Sequence, residues 1–354
     1  MQGGQSPSSR GGAGVLRADI LAVWDCISLG GTMPFIANEV RLLPVRVSEA
    51  IDPEHVADVD CGEYIASALA NSEWSVCEHD VIVVSSKVAS MLSGEVVHLA
   101  DVVPTRKAKI LGKLFHRDAR KVQLVLEQGK ILLVVPMKWI LRISTLREIM
   151  ERRSSRPEST VQGYEERNPF TFVVRKFAAF FDEAGIDQSN SPGEYAILLP
   201  DDPCEMARTI REAIRVRTQA DVAVIITDTL TSLGRVGSQD VAIGYAGIDP
   251  VTRETFHPDL FGVPRAGGID LVIDSIAGMS GLVMGQTIEK TPFVIVRGVS
   301  YQPERSDELP GMDAVSWPVN FQGRIFLLTL WATLRLWLGN LIALQPRTKK
   351  SRRT

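Results

Sequence analysis

The stretch DVAVIITDTLTSLGRVGSQDVAIGYAGI, residues 221–248, decides the fold class. Residues 222–227 are short, β-branched and almost wholly apolar, which predicts a strand buried on both faces. The run ends at Asp228 and Thr229, a carboxylate and a hydroxyl at the mouth of a buried strand. Hard divalent cations take oxygen ligands of these types. An Asp that caps a strand-to-loop turn accounts for Asp228 equally. The loop that follows holds Gly234, Arg235 and Gly237. Backbone N–H groups and a guanidinium in such a loop suit phosphate. A second apolar segment, residues 241–244, comes directly after.

Upstream, residues 202–217 read as an amphipathic helix with Ala207, Ile210, Ala213 and Ile214 on one face. Asp202 before Pro203 is a natural N-cap. The segment DEAGIDQSN at 182–190 packs carboxylates, amides and a glycine into one turn. Gly185 permits backbone angles that other residues resist. Asp187 and Asn190 can offer oxygen to a metal or hydrogen bonds to a nucleotide; an Asx-turn is the simpler reading. Residues 80–85, DVIVVS, predict another buried strand, running into Ser85, Ser86 and Lys87. Hydroxyls followed by lysine at a strand end can receive phosphate, or form an ordinary polar exit.

Residues 64–69, 104–115 and 119–127 read as helices, and 131–136, 170–174, 195–199 and 292–296 as strands. A helix at 274–284 is stopped by Gly285-Gln286-Thr287. This alternation predicts a mixed α/β fold. Residues 137–167 carry interspersed charge and read as an inserted helix and surface loop.

With 354 residues, 45% of them hydrophobic and 23% charged, the chain can bury a large core. A net charge of −3 gives no basic field for nucleic acid. The cysteines (Cys26, Cys61, Cys77, Cys204) are scattered without CxxC spacing, as in a reduced, cytoplasmic protein. No HxxxH or HxH pair suggests histidine-based metal chemistry. Residues 1–14 have a disordered composition, and Asp19 and Asp25 break any signal-peptide core. Residues 325–344 are nearly all apolar, with Arg335 near the middle and a basic end. A central arginine is costly in lipid, so an interfacial helix peripheral to the membrane, or one packed on protein, is expected over a simple span.

Three segments, AGIDQSN at 184–190, ITDT at 226–229 and DVAIGYAGI at 240–248, together resemble the coenzyme F420-0:L-glutamate ligases, the γ-glutamyl ligases. DVIVVSSKVAS at 80–90, the helix pair from 104, LLPDDP at 198–203 and LVMGQT…TPFVIVRG from 282 to 298 stand in the same order. The resemblance implies a mixed α/β fold of two interleaved subdomains, about 41–131 plus 270–320 and about 132–269. These make one ligase-like region at 41–320, flanked by an extension at 1–40 and the tail at 321–354. It also implies an intertwined homodimer. The implied reaction is GTP-dependent amide formation between F420-0 and L-glutamate through an acyl phosphate, with Mg²⁺ or Mn²⁺ and with K⁺ as a further cation. Asp187 and Asp228 are then metal carboxylates, Thr229 and Gln286 ligands of a second metal, and Arg235 a catalytic arginine. Ser85, Ser86, Lys87, Asn190 and the loop Val283, Met284, Gly285, Gln286, Thr287 are nucleotide contacts.

The sequence departs from the family at named places. Gln286 stands where the family often has Glu. A family lysine falls at Met91, with Lys87 one turn away. Only Arg235 remains of an arginine-rich stretch after ITDT. These departures leave open the same scaffold with another acid and amine, or a non-catalytic, membrane-associated nucleotide-binding protein.

Overall fold

The computed structural model describes residues 39–48, 51, 59–166, 168–189, 194–231, 235, 237–305, 311–316, 331 and 333–335. The N-terminal extension and nearly all of the apolar tail lie outside these. Among the described residues no helix is long and apolar enough to cross a membrane. Of the tail, Trp331 and residues 333–335 are helical, with the Arg335 guanidinium 4.2 Å from the Trp331 ring centroid.

In chain order the elements begin with β1 (Arg41–Val45), α1 (Cys61–Ala70), β2 (Val81–Ser85), α2 (Ser86–Leu92) and β3 (Val96–His98). There follow α3 (Arg106–Leu114), α4 (Ala119–Gln128) and β4 (Ile131–Val135), then the insertion helices α5 (Met137–Ile140), α6 (Ser144–Arg152) and α7 (Pro157–Glu166). Next come β5 (Thr171–Lys176), β6 (Ala179–Asp182), β7 (Tyr195–Ile197), α8 (Pro203–Thr218), β8 (Ala223–Thr231) and β9 (Ser238–Ala246). The last are α9 (Val272–Met284) and β10 (Phe293–Arg297). Polar caps start several helices as the sequence dictates. Asp60 accepts from Glu63 N at 2.7 Å, and Asp202 from Glu205 N at 2.9 Å. Each such cap satisfies an amide that the helix itself leaves unpaired.

The fold is mixed α/β. Its centre is a five-stranded sheet in the order β1-β10-β2-β8-β9, in which only β2 and β8 run parallel. Both faces are covered, so the central strands are continuous apolar runs. Val84, Val224, Ile226 and Ile295 pack with Ile65 of α1 and Ile210 and Ile214 of α8. The alternate residues Val83, Ile225 and Val294 pack with Ile273 and Ile276 of α9. A three-stranded sheet, β4-β5-β6, carries α3 and α4 around Phe172 and Val174. A two-stranded ribbon pairs β3 with β7.

Two expectations change. The strand at 222–227 does not stop at Asp228. Past an irregularity between Ile226 and Thr227, it continues to Thr231 as one arm of a hairpin with β9. Backbone pairing with β9 satisfies the polar half that a lone buried strand could not carry. The insertion holds three helices, and the Trp139 and Phe115 rings meet Phe170 edge-on at 5.5 and 5.3 Å. β8 and β9 pair within the same sheet as β1, β2 and β10.

Candidate active site

Parallel strands β2 and β8 lie in register, with Ser85 opposite Thr227, so both carboxyl ends open at one edge of the sheet. Such an edge is where open α/β sheets bind ligands. A cavity of about 920 Å³ sits there, lined among others by Lys87, Asp187, Asp228, Thr229, Asp240 and Gln286.

Four pieces of chain meet at this cavity. The first is the start of α2. Ser86 is buried, and its hydroxyl donates to Asp228 Oδ1 at 2.7 Å. Ser85 and Lys87 line the cavity; Ser86 is turned from it towards the carboxylate. Met91 adds a buried thioether to the wall.

The second piece is the turn before Asp187. Glu183, Ala184 and Gly185 are consecutive left-handed residues, with φ of 50°, 59° and 73°. Two of them are not glycine, and such angles are costly unless the surroundings enforce them. Arg117 enforces them here. It donates to both carboxylate oxygens of Glu183, at 2.9 and 2.8 Å, and Phe172 N donates to the same carboxylate at 2.9 Å. A Cβ on Gly185 would lie 2.4 Å from Leu199 Cδ1. The chain leaves this turn into a bridge with Ile197, which fixes Asp187 in place. Lys87 Nζ lies 2.6 Å from Asp187 Oδ2 and donates to Ser189 Oγ at 2.8 Å. Ser189 N donates to Asp187 Oδ1 at 2.6 Å.

The third piece is the β8–β9 hairpin, which sets Thr229 opposite Asp240. The Thr229 hydroxyl donates to Asp240 Oδ1 at 2.9 Å. The fourth is the end of α9. Gly285 closes the helix at φ 69°, and a Cβ there would lie 2.3 Å from the Glu289 carboxyl carbon. Glu289 accepts from Thr287 N at 2.8 Å, which shapes the loop. Gln286 Nε2 donates to Asp240 Oδ1 at 3.3 Å, and Gln286 Oε1 lies 3.3 Å from Thr229 Oγ1.

The carboxylates differ in charge state. Burial pushes Asp228 up to about 7, against the Ser86 and Thr229 hydrogen bonds; the Asp187 and Asp240 charges add to the rise. Burial also raises Asp187, but the hydrogen bond and charge of Lys87, with the Ser189 bonds, bring it below its ordinary value. Asp240 is raised by burial and partly restored by Thr229 and Gln286.

The structure therefore brings Ser85, Lys87, Asp187, Asp228, Thr229, Met284, Gly285, Gln286 and Thr287 to one cavity. Val283 packs instead towards the core under α9. Arg235 is exposed between β8 and β9 and is not among the lining residues. Asn190 lies outside the described residues. Sequence reading missed Asp240, Arg117 and Glu183. Asp240 had one usable signal: it stands just before the apolar segment 241–244, as Asp228 stands just after 222–227. The pairing that makes them neighbours is tertiary.

Among the described residues, no three His, Cys, Asp or Glu side chains form a metal-holding group on their own. The donors here are mixed: carboxylates with a hydroxyl and an amide oxygen. These are all hard oxygens, and they fit Mg²⁺ or Mn²⁺ rather than a soft metal.

The sequence profile of the F420-0:Gamma-glutamyl ligase family matches residues 53–298. A coenzyme F420:L-glutamate ligase of Methanopyrus kandleri is 29% identical over 266 residues, covering 75% of this chain and 90% of the relative. Those of Haloarcula marismortui (26% over 266 residues; 73% and 91%) and Archaeoglobus fulgidus (30% over 229 residues; 65% and 79%) are also similar. The match spans α1 through β10 and all four pieces of the cavity wall, and on that ground the chain belongs to the F420-0:gamma-glutamyl ligase family.

Proposed function

We propose that this chain joins the amine of L-glutamate to the carboxyl of F420-0, with GTP as the phosphoryl donor. Its family is one of carbon–nitrogen ligases acting in F420 synthesis, and its relatives carry that activity in their names. The observation that carries the reading is the meeting of Asp187, Asp228 and the glycine-bearing loop after α9 at the carboxyl ends of β2 and β8.

A carboxylate is a poor electrophile. Phosphorylation by GTP gives it a leaving group; attack by the glutamate amine then forms the amide and releases phosphate. Asp187 and Asp228 would hold one divalent cation, and Thr229 and Gln286 a second. Bound Mg²⁺ or Mn²⁺ supplies positive charge against the phosphate oxygens. Ser86 orients the Asp228 carboxylate by its hydrogen bond. Lys87 adds a mobile cation at the same wall, placed for phosphate once it leaves Asp187. The Gly285 turn lets backbone N–H groups approach a ligand closely.

A homodimer is part of this reading. The segment between β9 and α9 closes on itself through bridges at Val251–Leu271 and Pro258–Pro264. It exposes Phe256, Leu260 and Phe261, the last at 91%. A second copy would cover this apolar arm.

The test is turnover. Purified chain, F420-0, L-glutamate, GTP and Mn²⁺ should give a product one glutamyl unit heavier by mass spectrometry, with GDP and phosphate, and Asp228→Asn should give none. Binding of GTP without product would point to another acid or amine. Full turnover by Asp228→Asn would overturn the site.

A further inference from the structure

In this chain the residue facing the second cation position from the loop after α9 is the neutral Gln286. We propose that Asp240 supplies the missing negative charge as an anionic ligand of that cation. The inference rests on the metal-dependent reading above and extends it to a residue outside the ligand set read from the sequence.

Three oxygens from three elements converge. Asp240 Oδ1 lies 2.9 Å from Thr229 Oγ1, and Thr229 Oγ1 lies 3.3 Å from Gln286 Oε1. An octahedral shell with metal–oxygen distances of about 2.1 Å sets neighbouring oxygens about 3 Å apart. The threonine hydroxyl has one hydrogen for two facing acceptors, so one of these oxygen contacts has no proton in it. A cation relieves that contact.

Burial adds a second argument. Asp240 is 8% exposed. Among the described residues its side-chain hydrogen-bond partners are the uncharged Thr229 and Gln286, and its own charge bears on Asp228, another carboxylate. A buried carboxylate with no cation beside it is unfavourable, so a cation is the natural ligand. The chain also makes room for it. A Cβ on Gly281 of α9 would lie 2.5 Å from Asp240 Oδ2, so only glycine leaves the bay in which the carboxylate sits.

The experiment is a Mn²⁺ titration of the full chain followed by electron paramagnetic resonance, without turnover. Asp240→Asn should weaken one class of Mn²⁺ sites about 10- to 100-fold. The double variant Asp240→Asn/Gln286→Glu moves the charge across the same site and should restore most of the affinity. Loss without restoration would make Asp240 a structural residue and overturn the proposal. Wild-type titration by Asp240→Asn, with loss in Asp228→Asn, would overturn it and leave the ligase site standing. Unchanged binding in Asp228→Asn as well would sink the site reading itself. The wild-type chain gives a check independent of how the variants fold. Loaded with Fe²⁺ and treated with ascorbate and peroxide, it should be cut beside residue 240, and excess Mn²⁺ should block the cut. No cut there overturns the proposal.

Discussion

Asp187 and Asp228 are the same residue type at one cavity, yet their surroundings drive them apart. Asp187 has the Lys87 ammonium and is held ionised; Asp228 is enclosed and is pushed up to about 7. The folded chain therefore binds a proton at Asp228 that the unfolded chain has released between about pH 4 and 7. Stability of the metal-free protein falls as pH rises across that window. Asp228→Asn removes this penalty. At pH 8 without metal, its melting temperature should exceed that of the wild type by about 2 to 4 °C for each kcal/mol relieved, and the gain should shrink towards pH 4. A melting temperature for the variant at or below wild type at pH 8 would contradict the raised pKa. A cation must displace that proton, so Mn²⁺ affinity should weaken as pH drops below 7, as a calorimetric titration would show. At this scale the sequence was readable where a reactive residue follows an apolar run, as Asp228 does after 222–227 and Ser85 to Lys87 do after Val81–Val84, and where a glycine-bearing polar turn holds one, as at Asp187. It was silent on which partners these side chains take: Ser86 with Asp228, Lys87 with Ser189 and Asp240 with Gln286 are joined only by the fold.

At the scale of elements, the left-handed turn at 183–185 is held by Arg117, whose side chain is only 4% exposed against Glu183. Arg117→Met would strand the Glu183 carboxylate and release the turn. The loss should be about 3 kcal/mol or more in urea denaturation, because one half of a buried pair remains without its partner. Arg117→Lys, unable to reach both oxygens in a fork, should recover only part of it. Gly244 in β9 makes a second demand, since a Cβ there would lie 2.4 Å from the Pro203 carbonyl carbon at the start of α8. Gly244→Ala should cost about 1 to 3 kcal/mol by the same measurement. Most elements were legible for plain reasons: buried strands are unbroken apolar runs, and α8 shows its cap and its stripe. The far half of β8 was not. TDTLT and SQD have no apolar alternation, and their strand conformation comes from pairing with each other. The short strands β3 and β6 failed to register for a related reason: β3 is three residues long and half-buried throughout, and β6 is four residues long with mixed burial.

For the whole molecule, the apolar arm between β9 and α9 makes the oligomeric state a direct observable. Light scattering on an eluting column should give the mass of two chains. Phe261→Glu should shift it towards one, without a large change in the melting of a chain whose own core excludes Phe261. A wild-type monomer would remove the dimer from the reading. The order of strands in the central sheet has a different consequence, for how the protein comes into being. β10, at residues 293–297, lies between β1 and β2, both drawn from the first quarter of the chain. During synthesis those early strands emerge long before the strand that separates them. The sheet cannot close until nearly the whole ligase region has left the ribosome. Until then β1 and β2 expose hydrogen-bonding edges and apolar faces, the condition in which nascent chains call on chaperones. A chain cut short before Phe293 should therefore aggregate rather than fold as a smaller enzyme.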